Sequence, residues 1–226
     1  NAVGCSPGSP GRGEFPQKDE SFLIRPLQAG ALPHKDQAMP MAELPEDLSG
    51  FSLTQIAEMA GSQKLPPVES WQPARTGDSA MRIARDGRWF HEGSPIERQN
   101  MVRLFSTILR REPDGSHVLV TPVEKLTIDV EDAPFIAVEV KSEGRAKDRA
   151  LAFRLNTGDL VLAGREHVLR FAQHNGEPAP YLGVRGGMEA RIARAPYYEL
   201  VEMALEEAAT PLGLWGNGEF FAMEQA

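Results

Sequence analysis

From Met81 onward, apolar and polar residues alternate in short runs bounded by Gly, Pro and Asp, as in half-buried strands. MRIAR (81–85) and RWFHE (88–92) read as two strands joined at Asp86-Gly87 in a tight hairpin. Met101, Leu104, Phe105, Ile108 and Leu109 recur at the spacing of one buried helical face and predict a helix over 98–111. Asp114-Gly115 then turns the chain into the strand SHVLVT. Leu126, Ile128 and Val130 alternate with Thr127, Asp129 and Glu131, and Asp132-Ala133-Pro134 bends the chain into FIAVEV. Leu151, Phe153 and Leu155 share a strand face, and Thr157-Gly158-Asp159 turns that strand into LVLA. HVLRF, YLGVR and MEARI complete the series. Pro196 opens a last helix with the stripe Tyr197, Leu200, Val201, Ala204 and Ala208.

This order of strands and helices predicts an α+β fold of two small domains. Residues 71–122 form an N-terminal α+β domain and 123–210 a C-terminal one, with Thr121-Pro-Val-Glu-Lys125 as the link. Residues 41–70 hold a linker and a short helix, capped by Ser52 and ended near Gly61. Residues 1–40 sustain no period and are rich in Gly and Pro, so they cannot offset their ordering entropy. They read as a disordered tail or as a non-native extension ahead of Met39 or Met41. In the tail 211–226, Trp215, Phe220 and Phe221 either dock on the core or hang loose.

Two stretches share a pattern. Arg85-Asp86-Gly87, a strand and Arg98 ahead of a helix resemble Arg185-Gly186-Gly187, a strand and Arg194 ahead of a helix. This predicts a duplicated hairpin–helix core with a pocket between the halves.

Composition narrows the function classes. A net charge of −8 argues against general nucleic-acid binding. The single cysteine, Cys5, excludes an internal disulfide and a cysteine metal site, which points to a reducing, cytoplasmic setting. No apolar run approaches the roughly 20 residues of a membrane helix. Arginine outnumbers lysine 18 to 6, which reflects either GC-rich codon usage or anion recognition through the planar guanidinium. P-loop, HExxH, GxSxG and CxxC motifs are absent, and the five histidines are scattered. Neither a catalytic centre, a metal nor a cofactor is implied.

ARDGRWFHEGSPIERQNMVRLFSTILRRE, LVTPVEKLTIDVEDAPF, LAFRLNTGD and VRGGMEARIARAPYYELVEMAL, together with LPPVESW, resemble a proteobacterial family known only as a domain of unknown function. The match runs from about Leu65 to Leu205. The resemblance implies a duplicated core, and a C-terminal half like a pleckstrin-homology fold, a curved antiparallel sheet closed by a terminal helix. It also implies a cleft for a nucleotide-like ligand, a role in signalling, and no metal. On this basis Arg98, Lys125, Arg185 and Arg194 are expected to offer positive charge to an anionic small molecule. Glu124, Asp132, Asn156 and Glu189 are expected to orient the ligand or hold those arginines. The protein partner is unknown, and no nucleic acid or membrane is expected. The alternatives are a hydrolase using Glu124 or Asp132 as base, and a protein-interaction module built on a sheet edge or the Arg-rich helix.

Overall fold

The computed structural model describes residues 47–174 and 177–223. The 1–40 extension lies outside the described residues. The first six strands are β1 (Arg75–Ile83), β2 (Trp89–His91), β3 (Ser94–Pro95), β4 (Leu109–Arg111), β5 (His117–Val120) and β6 (Glu124–Val130). They form one sheet in the order β3-β2-β1-β6-β5-β4. A second sheet holds β7 (Phe135–Glu143), β8 (Ala150–Leu155), β9 (Leu160–Leu162), β10 (Leu169–His174), β11 (Glu177–Arg185) and β12 (Met188–Ile192), in the order β10-β11-β12-β7-β8-β9.

The two sheets have the same topology. Each is built from two three-strand meanders, and the first and last strands meet at the centre in parallel. Met81 of β1 lies opposite Ile128 of β6, and Phe135 of β7 lies opposite Ala190 of β12. All other pairings are antiparallel. The duplication therefore lies in the strands. The helices enter at different points: α2 (Gln99–Thr107) separates the meanders of the first sheet, whereas α3 (Arg194–Glu207) follows the last strand of the second. Arg98 and Arg194, matched by the hairpin–helix pattern, are thus not topological equivalents.

The structure moves the boundary expected at 122/123. Thr121-Pro-Val-Glu-Lys125 is the β5–β6 turn, not a link between halves. Val120 pairs with Lys125, the Thr121 amide donates to the Glu124 carbonyl at 2.9 Å, and Thr121 Oγ1 accepts from the Glu124 amide at 3.1 Å. The chain crosses between sheets over residues 131–134. The helix expected over 98–111 also ends early, because Leu109 and Arg110 are drawn into β4 by pairing with Leu119 and Val118. That rotates α2 relative to the expected face. Val102 and Ser106 are buried, while Met101 and Leu104 are 39% and 50% exposed.

Both sheets share one core. Trp89, Leu109 and Ile128 of the first sheet belong to the same buried cluster as Phe135, Phe153, Leu155 and Leu182 of the second. Trp89 stacks on Phe105 of α2 with 6.4 Å between ring centroids. Each fully buried side chain of this size contributes about 1.5–3 kcal/mol, so the halves stabilise one another. The α1 helix (Leu53–Ser62) begins in a capping box between Ser52 and Gln55. Its Leu53 and Ile56, with Leu48, pack on Ala152 and Leu160 of the second sheet. The described part of the 211–226 tail, to residue 223, docks: β13 (Gly213–Gly216) and β14 (Glu219–Ala222) form a hairpin that places Leu214 and Phe221 in the main core. Among the described residues no helix is long and apolar enough to cross a membrane.

Candidate ligand-binding cleft

The β1–β2 loop is Arg85-Asp86-Gly87. The Ala84 amide bonds the Arg88 carbonyl at 2.9 Å, and Gly87 adopts φ +82°, so three residues turn the chain with glycine in the left-handed position. The β11–β12 loop has two residues, Gly186 and Gly187, both at positive φ, between the opposed Arg185 and Met188. Each turn presses against the other half. A Cβ on Gly87 would stand 2.6 Å from Ile136 Cγ1 and 2.8 Å from Asn156 Nδ2; one on Gly186 would stand 2.8 Å from Glu69 Oε1.

Polar struts fix these contacts. Asn156 accepts from the Ile136 amide at 3.0 Å and donates to the Gly87 carbonyl at 3.3 Å; its own carbonyl accepts from Gln99 Nε2 at 2.7 Å. Arg185 donates to the Ser106 carbonyl at 2.8 Å and to Asp159 at 3.4 Å, with its guanidinium 4.8 Å from the centre of the Phe135 ring. Arg111 donates to the Gly187 carbonyl at 3.0 Å. Arg111, Glu69 and Gly186 border a hollow of about 530 Å³. In that hollow Arg110 is satisfied by the Val68 and Trp71 carbonyls and by Glu112.

A larger cleft of about 960 Å³ opens where the β1–β2 turn faces the end of β12 and the start of α3. Arg82, Arg85 and Arg88 line it from the first half, Arg191 and Arg194 from the second. Phe90 forms part of one wall, with the Arg82 and Arg88 guanidinium carbons 4.3 and 5.6 Å from its ring centre. Tyr197 and Tyr198 form part of the other, 5.9 Å apart and mutually tilted. Most of the arginines are backed by carboxylates. Arg82 pairs with Glu131, Arg88 with Asp86 at 2.7 Å, and Arg191 with Asp132 at 2.5 Å, while Arg85 lies 3.8 Å from Asp132. The backbone amide of Arg88, joined by its side chain, outweighs the opposing effect of burial and holds Asp86 below the usual carboxylate range. Burial and the bond to Asp132 push the Tyr181 phenol above its ordinary value, so it remains a donor to Asp132 at 2.7 Å. Arg194 has no ion pair among the described residues.

Of the eight residues expected at the site, Arg194 lines the cleft and Asp132 stands directly behind it, holding Arg191. The other six do not converge there. Asn156 and Arg185 are struts between the halves. Glu189 makes a two-pronged pair with Arg170 at 3.0 and 2.7 Å. Glu124 lies 3.7 Å from Arg75, and Lys125 donates to Glu112 at 3.2 Å, both on the first sheet because TPVEK is a hairpin turn. Arg98 is an exposed residue at the entry to α2. Arg82, Arg88, Phe90 and Glu131 were missed. For Arg82 and Arg88 the sequence signal is the density of charge around the Asp-Gly turn, whereas Glu131 is brought in from the crossing between the sheets.

Family models match almost all of the described region. The model described as "Domain of unknown function (DUF1285), N-terminal domain" matches residues 66–133, and "Protein of unknown function (DUF1285), C-terminal domain" matches 134–223. Their junction falls within the 131–134 crossing between the sheets. A solved DUF1285 family protein from Silicibacter pomeroyi DSS-3 is 44% identical, with a TM-score of 0.64 over 74% of this chain and 93% of that one. A second, from Shewanella baltica OS155, is 27% identical with a TM-score of 0.44, over 55% of this chain and 92% of that one. A search of the curated proteins finds no match.

Proposed function

The chain belongs to the DUF1285 family, and we infer that it is a cytoplasmic ligand-binding protein whose cleft takes an anionic, nucleotide-like small molecule in a signalling role. The observation that carries this reading is the combination of five arginines with aromatic walls in one open cleft. Guanidinium groups suit phosphate and carboxylate oxygens, and they stack on planar groups. The carboxylates behind them hold the guanidinium groups in place before a ligand arrives, which lowers the ordering cost of binding. Glu131 and Asp86 serve as partners of arginines, so the cleft reads as a binding site rather than as a site for acid–base chemistry.

The test is a thermal-shift screen of nucleotides on the full chain, followed by calorimetric titration of the best hit. Arg194→Ala is expected to weaken binding roughly ten- to a hundredfold, the loss of one bond to a charged group. Equal affinity of wild type and Arg194→Ala, together with equal affinity of Arg88→Ala, would place the ligand elsewhere. Turnover of the hit would replace sensing with catalysis.

A further inference from the structure

Resting on the reading of the cleft as an anion site, we propose that it selects a ligand with a single negative charge, a phosphodiester of the cyclic-nucleotide kind, over terminal phosphates and polyphosphates. Charge balance in the cleft sets this preference. Five arginines line the cleft. Against them stand Asp86, Glu131 and Glu177 on the lining, and Asp132 immediately behind. One positive charge remains among the described residues.

Asp132 serves both Arg191 and Arg85, and Glu177 forms no ion pair among the described residues, so what the pairing pattern identifies is the arginine with no carboxylate beside it. Arg82 is held by Glu131, Arg88 by Asp86, and Arg191 by Asp132. Arg85 has Asp132 within 3.8 Å. Arg194 carries no ion pair among the described residues and stands at the start of α3 beside Tyr197 and Tyr198. One anionic oxygen group therefore meets an unopposed cation at Arg194, with a planar surface next to it. A second or third charge on the ligand must either displace Glu131 or Asp86 from its arginine or lie beside that carboxylate. Like charges brought together in this way are unfavourable. Both carboxylates also accept backbone amides, Glu131 from Arg85 at 2.9 Å and Asp86 from Arg88 at 3.1 Å, so neither swings away freely.

The experiment titrates the full chain, without magnesium, with cyclic AMP, AMP and ATP, which carry rising negative charge on one nucleoside. Cyclic AMP is expected to bind at least about tenfold more tightly than ATP, with AMP between them. Glu131→Gln and Asp86→Asn keep an acceptor for the backbone amides and remove the opposing charge. Either is expected to narrow the gap by improving ATP more than cyclic AMP. Two variants guard against one of them misfolding. ATP binding most tightly to wild type would overturn the charge selection while leaving the cleft an anion site. So would variants that improve all three nucleotides equally. Failure of all three to bind would overturn the selection together with the reading it rests on.

Discussion

Arg85-Asp86-Gly87 and Arg185-Gly186-Gly187 each close a hairpin, and each presses a glycine onto the opposite half of the molecule. They close with three and two loop residues respectively, because a register shift between Gly183 and Arg185 moves the second pairing by one residue. In the longer loop Arg85 has already left the strand, and it lines the cleft with Asp86 and Arg88. In the shorter loop Arg185 is still a strand residue, directly opposite the buried Met188. Opposed residues of an antiparallel pair project on the same face, so Arg185 is carried toward the core side, where it bridges Ser106, Asp159 and Phe135. That register shift, by changing strand parity beside the turn, thus decides whether an arginine faces the cleft or ties the halves together. Similar text gives two roles.

The comparison predicts its largest effect at the first turn. Gly87→Ala combines a left-handed conformation, costing roughly 1–2 kcal/mol, with overpacking against Ile136 and Asn156, costing about 1–3 kcal/mol more. Gly93 also has positive φ, at +79°, but has open space around its Cβ position. Gly93→Ala is therefore expected to show the conformational cost alone. Denaturant unfolding of both variants separates the two terms, and equal losses would show that the Gly87 turn is not pressed against the second half. Gly186→Ala is expected to cost less than Gly87→Ala, because the atom it meets is the tip of the flexible Glu69 side chain.

The next effect is at the strut. Arg185→Ala is expected to lose about 1.5–3 kcal/mol of stability, the range for hydrogen bonds to charged groups, with Asn156→Ala losing about 1–3 kcal/mol by leaving the Ile136 amide unpaired. Chemical denaturation measures both. Unchanged stability in Arg185→Ala would return Arg185 to the surface and remove the contrast with Arg85.

Much of the fold was legible because strand alternation is local. The Asp86-Gly87 and Gly186-Gly187 hairpins, the Met188, Ala190 and Ile192 face of β12, and the Ser52-capped helix all follow from spacing and turn chemistry. What was not legible depends on pairing at long range. β6 is held in the first sheet by its hairpin with β5 and also by β1, which lies parallel to it from far earlier in the sequence, and nothing within TPVEK records that second pairing. The end of α2 is set by β4 pairing with β5, which overrides the helical periodicity of Ile108 and Leu109. The site was partly legible for a similar reason. Arginine density around the turn pointed to anion chemistry, but which arginines face the cleft depends on strand register beside each turn and on carboxylates of the crossing between the sheets, Glu131 and Asp132.

A smaller effect is expected from pH at the second hollow. Burial raises the pKa of Glu112, but hydrogen bonds from Arg110 and Lys125, with their charges, outweigh it and hold the pKa below the ordinary 4.5. A carboxylate depressed in the folded state contributes stability that is present above its unfolded pKa and lost as pH falls through the folded one. The stability difference between wild type and Glu112→Gln should therefore be constant near neutrality and shrink below about pH 4.5. A difference that grew on acidification would reverse the sign of the Arg110–Glu112–Lys125 cluster.

The smallest effect on stability is expected at the cleft itself. Arg194 is exposed, forms no ion pair among the described residues, and starts α3 at a position where a cation has no favourable interaction with the helix dipole. Arg194→Ala should accordingly change unfolding free energy by no more than about 0.5 kcal/mol, as for surface substitutions that touch no partner. A slight gain is as compatible with the dipole argument as no change. Set beside Arg185→Ala, this gives the comparison its sharpest form: two arginines of one motif, one whose removal loosens the junction and one whose removal leaves the folded protein intact. Loss of several degrees of melting temperature in Arg194→Ala would show that Arg194 also ties the halves together. Any weakening of anion binding in that variant would then reflect a disturbed cleft rather than a lost contact.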